Sequence, residues 1–426
     1  MLSYDGKILG LKDRREEGLN RKLLFPALAL VLCLGLTVPA MASTGTVNSP
    51  TAVSAGSDHS GLIDANGSLW MWGLNEEGQL GNGGRGNAKT KGDFTYQTVP
   101  IKVLNNVVSV SSGGKNTAAI KTDGSLWMWG ENYYGQLGNG TTKNSLVPVK
   151  VMDNVAAVSL GGSSVTSGYT AAIKTDGSLW MWGANDYGQL GNGTTKDSLI
   201  PVKVMDNVAS VSLSEFRHAA AIKTDGTLWM WGRNGQGQLG NGTTKDSLVP
   251  VKVMDNVTAI SLGALHTAAV KTDGSLWTWG FNEGGRLGNG LKGTKNIIVP
   301  EKVMDGAVSV SCGGSHTAVV KADGSLWMFG NNGMGQLGIG DTGNEEMNIG
   351  HGDFYVQTVP VKLMDHIAFV SSGGNHTIVV KTDGSVWLFG RSSNGNLGTV
   401  KGNGVDIYNN AMQTTPVKLS SLRARN

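Results

Sequence analysis

Between residues 50 and 426 the apolar positions fall into short runs separated by turn residues, and the runs recur in a fixed order. One copy reads NVAAVSL from Asn154, TAAIK from Thr170, SLWMWG from Ser178 and PVKVM from Pro201, with the tripeptide TDG between the second and third. Each run has the length and β-branched or aromatic content of a strand. Asp-Gly between two runs predicts a tight hairpin, with Gly177 supplying a positive φ. Pro201 at the head of the fourth run fits an edge strand, where no ladder hydrogen bond is lost. The third run is apolar on both faces, Leu179 and Met181 on one and Trp180 and Trp182 on the other. A strand of that kind is covered on both sides, unlike one in a half-solvated sheet.

The glycine of the D-G turn returns at Gly67, Gly124, Gly177, Gly226, Gly274, Gly324 and Gly384. Seven repeats of 48 to 60 residues follow, and all 12 tryptophans lie in their third runs; Phe329 and Phe389 stand for the second Trp in the last two. Seven four-stranded units, each covered by its neighbours, predict an all-β fold: a seven-bladed β-propeller. Only Asp153-Asn154 separates PVKVM from the next run, a length suited to a hairpin. That pairing leaves the last PVKL run without a following partner. The expectation is therefore a ring closed by pairing of the C-terminal strand with the N-terminal strands.

Composition narrows this reading. The 64 glycines, about 15% of the chain against about 7% ordinarily, fit many tight turns. Arg21 and Lys22 precede an apolar run from Leu23 to Ala40, and Ala40-Met41-Ala42 offers a small-residue cleavage pattern. The chain then divides into a signal peptide over 1–42, a linker over 43–49 and a propeller over 50–426. A retained membrane anchor is the alternative, but Pro26 and Pro39 interrupt the run. A cleaved product is secreted or held at the cell surface and has no membrane span. Removing 1–42 takes six of 35 basic and four of 32 acidic residues, leaving a net charge near +1. So even a balance argues against nucleic acid as partner. Cys312 is then the single cysteine and forms no internal disulfide. No catalytic motif of the G-x-S-x-G, H-E-x-x-H or P-loop kind occurs. The expectation is a monomeric, non-enzymatic binding scaffold with no cofactor and no metal.

The string GALHTAAVKTDGSLWTWGFNEGGRLGNG, Gly263 to Gly290, and its siblings resemble the regulator-of-chromosome-condensation repeat family. The resemblance spans Pro50 to the C-terminus and implies a seven-bladed propeller. It implies function less directly. The namesake is a nuclear nucleotide-exchange factor for a small GTPase, whereas an exported relative covers the active sites of β-lactamases. A protein partner outside the cell is the expectation. A carbohydrate-binding or hydrolytic site at the ring axis and a guanine-nucleotide exchange role are the alternatives. Acidic or aromatic side chains converging on the axis would favour the former, and an axis of Ser, Gly and Ala would not.

Candidate contact residues are those the repeats do not share. The loop from the QLG leucine to the strand-opening proline is 11 residues in repeats 2 to 4 and 13 in repeat 5. It is 20, 23 and 19 residues in repeats 1, 6 and 7, which a closed ring places side by side. These loops carry Phe94, Tyr96, Phe354, Tyr355 and Tyr408. Tyr133 and Tyr134 stand at a blade tip, and an enlarged turn brings Tyr169 near Phe216 and Arg217. Aromatic side chains on rigid loops are usual contact residues. His59, His218, His266, His316 and His376 occupy the family's H-T position, where Asn116 and Tyr169 replace them. A structural hydrogen bond to backbone is the main expectation there and partner contact the second. Their distribution over separate blades argues against a shared metal.

Overall fold

A computed structural model describes residues 50–85, 88–89, 95–163, 165–291, 295–340, 345–348, 353–398, 404–405 and 411–419. The expected signal segment and linker, residues 1–49, lie outside these.

Seven antiparallel sheets form the blades, one per repeat. In blade 3 the strands Val155–Gly161, Tyr169–Lys174, Leu179–Gly183 and Ser198–Met205 pair in that order. The first strand lines the central shaft and the fourth is the outer edge. Blades 1, 6 and 7 carry a fifth, outermost strand, Ala88–Lys89, Glu345–Asn348 and Gly404–Val405. The three long loops thus fold back as added hairpins, on three blades that adjoin around the ring.

Ring closure differs from the expectation. The C-terminal strand Ala411–Lys418 pairs with Val386–Arg391 of its own repeat, and blade 1 is complete within residues 52–104. Among the described residues no strand is shared across the seam between blades 7 and 1. The two-residue link is not a hairpin, because its asparagine turns the chain into the next blade. Asn106, Asn154, Asn207 and Asn256 sit at φ 59–62°, with Gly306 and His366 in the same place at 79° and 64°. Asparagine tolerates this left-handed conformation well. Each link is also clamped from both sides: Val155 N donates to Gly124 O of the preceding turn at 2.9 Å, and Thr175 N of its own blade donates to Asn154 O at 2.9 Å. These bonds explain why TDG hardly varies.

The core lies between blades. One cluster joins Ile173, Leu179 and Met181 of blade 3 to Val208, Val211 and Trp231 of blade 4. The second tryptophan of each W-x-W, Trp72, Trp129, Trp182, Trp231 and Trp279, is fully buried. Its indole Nε1 donates across the interface, as Trp182 does to Gln136 O at 2.9 Å. The first tryptophan is only half-buried. Trp127 Nε1 donates to Ser125 Oγ at 2.9 Å, Ser125 Oγ donates to Asp123, and the Lys121 ammonium lies 4.4 Å over the ring. So W-x-W has two tasks: one indole fills the interface, the other braces the hairpin.

Candidate functional site

Strand direction divides the molecule into two unlike faces. TDG turns and Asp-Asn links gather on one. The loops joining first to second strands, and third to fourth, gather on the other. The first face repeats almost unchanged, whereas the second joins a recurring GQLGNG core to residues that differ from blade to blade.

The shaft between them encloses about 100 Å³ and is lined mainly by Ser, Gly, Ala and Leu from the innermost strands. Its serines form a closed belt. Ser54, Ser111, Ser159, Ser212, Ser261, Ser311 and Ser371 each accept a backbone N–H from the next blade, at 2.8–3.3 Å. The last of these, Ala55 N to Ser371 Oγ, crosses the seam. The belt escaped sequence reasoning, although the constant serine of the VSL run was its signal. The axis has the polar, small-residue lining that does not favour a ligand site within the shaft.

A second ring lies towards the loop face. The five histidines are fully buried, and their Nε2 atoms meet a hydroxyl of the next blade: His59 with Thr117 at 2.9 Å, His266 with Thr317 at 3.0 Å, His376 with Ser60 at 3.1 Å. Thr117 Oγ1 already donates to Gln79 O at 2.7 Å, so it accepts from the imidazole. The other nitrogen, Nδ1, has no partner in any of the five. Burial pushes His59, His218 and His316 down to about 3 and His376 to about 4, with His266 also well below its ordinary value. They are neutral latches between blades; the closest partner is a side-chain hydroxyl, with the expected backbone contribution seen at His59 from Asn116 and at His218 from His266. Among the described residues no three His, Cys, Asp or Glu cluster closely enough to hold a metal.

Tyr169 occupies a histidine position and is fully buried, its Oη donating to His218 O at 2.7 Å. The ring completes the interface, which removes it from the partner surface expected of it. Tyr96 is half-buried and lies against the Gly395 turn of blade 7. Tyr133 and Tyr134 are 56% and 40% exposed, and Tyr355 is 40% exposed. Phe354 lies opposite Met347 in the register of the added hairpin. Phe94 and Tyr408 lie outside the described residues. Phe216 and Arg217 are partly exposed, with Arg217 in the left-handed region at φ 71°. Arg217 is well tied: 3.0 Å to Ser167 Oγ, 3.4 Å to Asp186, and 5.1 Å over the Tyr187 ring. Arg233 lies 5.1 Å from the same ring. Val165, in the enlarged turn of blade 3, is 84% exposed. Tyr133, Tyr134, Val165, Tyr187, Phe216 and Arg217 thus share the loop face of blades 2 to 4.

The tips are held rigidly. Asn132 Oδ1 accepts from Leu137 N at 2.8 Å, while its Nδ2 donates to Lys143 O at 3.0 Å. Asn75, Asn185 and Asn234 accept the matching leucine N–H.

At the centre of the loop face, above the shaft, is a bowl of about 340 Å³. Blade 4 has one extra residue in its first loop, and this sends Glu215 across the axis to blades 1, 6 and 7. A Cβ built on Gly314 or Gly374 would lie 3.5 Å from its carboxylate oxygens. Burial pushes Glu215 up to about 7, with Asp58 adding to the shift and a Ser57 hydrogen bond opposing it. Asp58 accepts from Asn394 Nδ2 at 2.9 Å and lies 3.8 Å from Arg391. Arg286, Phe281, Leu265 and Phe216 complete much of the wall. Glu215 was not singled out from sequence, although the extra residue in SEFRH marked its loop.

A stapled ring with a constant face and a variable face defines a β-propeller that presents loops from a rigid frame. The RCC1-like domain profile matches residues 164–426, and two forms of the regulator of chromosome condensation (RCC1) repeat match 66–120 and 123–166, and 51–79 and 107–136. The chain belongs to the RCC1-like family. It is similar to the ultraviolet-B receptor UVR8 of Arabidopsis thaliana, 30% identical over 158 residues, 36% of this chain and 33% of the receptor. It is 28% identical over 154 residues to the E3 ubiquitin-protein ligase HERC2 of Homo sapiens, 36% of this chain and 3% of the ligase. The match therefore spans a third or less of these relatives. Prp20p from Saccharomyces cerevisiae, a solved structure described with its binding properties to Gsp1p and histones, superposes with a TM-score of 0.69 at 20% identity, covering 88% of this chain and 87% of that one. At that identity the likeness concerns the fold.

Proposed function

We propose that this chain is an exported, non-catalytic propeller that binds another protein through its loop face, using the long-loop sector of blades 6, 7 and 1 and the blade tips. The observation that carries the reading is the concentration of non-repeating residues on one face, where Tyr133 and Tyr134 stand exposed on a braced tip, with Tyr355 exposed on the added hairpin of blade 6. Rigid aromatic side chains add contact area at low entropy cost. Prp20p, with a similar fold, is described as binding Gsp1p and histones. The partner here is a protein at the cell surface or outside the cell, because residues 1–42, with their apolar run from Leu23 to Ala40, have the form of an export signal.

Affinity capture with the chain from Ser43 onward tests the reading. Tyr133→Ser with Tyr134→Ser, or deletion within residues 86–94, should weaken partner recovery at least tenfold. Lys203→Ser on the outer rim should not. Undiminished recovery by both loop variants would overturn the reading. N-terminal sequencing checks export separately. A mature protein starting at Ser43 is expected, and an intact cytosolic chain would favour the exchange-factor alternative.

A further inference from the structure

The bowl contains a buried cation, Arg286, that makes no direct ion pair among the described residues. In five blades the residue before the QLG leucine is glutamine, and its Oε1 accepts the N–H two residues earlier, as Gln79 does from Glu77 N at 2.9 Å and Gln189 from Tyr187 N at 2.8 Å. Blade 5 has Arg286 instead, and a guanidinium accepts nothing. Its Nε donates to Glu283 O at 2.6 Å, and the group lies 4.9 Å over the Phe281 ring. Arg286 is only 7% exposed and lines the bowl. Among the described residues no carboxylate forms an ion pair with it, and Glu283 on its own loop acts on its charge only at longer range. The two acids of the bowl are directed elsewhere: Asp58 to Asn394 and Arg391, Glu215 to Ser57.

A buried guanidinium without a carboxylate is costly, and a planar oxyanion offsets that cost through two parallel hydrogen bonds. Burial lowers Arg286 to about 10, the sign of that cost. Phe281, Leu265, Phe216, Ala264 and Val165 give the wall an apolar side. About 340 Å³ lies in the range of small-ligand sites. Asp58 and Glu215 on the wall repel a doubly charged anion such as a phosphate monoester about twice as strongly as a singly charged carboxylate.

We propose that the bowl is a binding site for a carboxylate borne on an aromatic or apolar body, with Arg286 receiving the carboxylate and Phe281 the body. The carboxylate comes either from a free small acid or from a peptide that presents one. The inference is independent of protein docking, and either reading can fail alone.

The test uses the full chain with phenylacetate, phenylacetamide, phenyl phosphate and acetyl-Gly-Phe with a free C-terminus, measured by calorimetric titration. Arg286→Gln restores the residue of five sister blades, so its fold is safeguarded by precedent, and the unliganded melting temperature verifies it. Phenylacetate or the peptide acid should bind, at least tenfold tighter than phenylacetamide, and Arg286→Gln should remove that preference. The tighter of the two acids names the source. Equal binding of acid and amide, tighter binding of phenyl phosphate, an unchanged Arg286→Gln variant, or no binding of either acid at 20-fold molar excess over millimolar protein would each overturn the proposal.

Discussion

A glycine can serve as space as well as as a hinge, and two positions separate the roles. Gly263 precedes His266 by three residues, and a Cβ there would lie 2.1 Å from the imidazole Cε1. Gly235, at a blade tip, has nothing within 4 Å of such an atom. Gly263→Ala should therefore cost about 1–3 kcal/mol by forcing the latch apart. Gly235→Ala should be neutral or stabilise by up to about 1 kcal/mol through the unfolded chain. Denaturant melts of the two variants, compared at equal slope, check the contrast. The G-x-x-H pattern is thus one device: the glycine is absent in side chain so that the ring can lie against the backbone.

Buried histidines give the interfaces a pH dependence of definite sign. Their folded pKa values lie below the unfolded value of about 6.5, so the unfolded chain binds more protons. Stability is complete above pH 6.5 and falls as the pH drops towards 3, by about 1.4 kcal/mol per unit for each latch. Protonation also places a charge on an Nδ1 with no acceptor. Unfolding curves at pH 8, 6 and 5 should show a steep loss, and His266→Asn, the residue blade 2 uses at this place, should lessen the slope. Glu215 acts in the opposite sense. Its raised pKa of about 7 stabilises the protonated form, and that contribution is lost as pH rises from the unfolded value through 7. Glu215→Gln should gain relative stability between pH 5 and 8; a constant difference across that range would show that the carboxylate is not buried at the mouth.

Strands, blade number and the adjoining long loops were legible because each follows from period and spacing. TAAIK and SLWMWG can only pair across TDG, and seven copies count themselves. The closure was not legible. A two-residue link reads as a hairpin until Asn154 takes a positive φ and Gly124 and Thr175 clamp it, one from each of the two blades that it joins. Among the candidate contact residues, Tyr133 and Tyr134 stand exposed at tips whose sequence varies. Variation misplaced Tyr169: it varies from the histidine pattern, yet it varies to fill a gap beside Ser214 and His218. Arg286 and Glu215 depend on what lies opposite them across the ring, and no local pattern reports that.

At the scale of the whole molecule every blade is complete within its own repeat, the serine belt crosses all seven interfaces and the indole bond crosses five of them. Trp72 Nε1 donates to Asn396 O at 2.9 Å across the seam, as Trp182 does to Gln136 O between blades 2 and 3. Leu419 and Val53 share one apolar cluster there with Leu62, Phe369 and Leu388. A circular permutant that joins the chain after Leu419 to Pro50 through a short Gly-Ser linker, with new ends between Asp153 and Asn154, keeps all seven sheets. It should fold, with a loss near that of one clamped link. Failure of the permutant to give the parent's circular dichroism would mean that the seam is special after all.

That seam also sets how the molecule bears load. Force applied between residues 50 and 419 pulls on the one interface that no peptide bond crosses. The belt bond from Ala55 to Ser371, the Ser60–His376 pair and the Trp72 indole are first in line. In a tethered pulling experiment the ring should part there as a split washer opens, before any blade loses a strand. Afterwards it should peel in single-blade steps from the two ends.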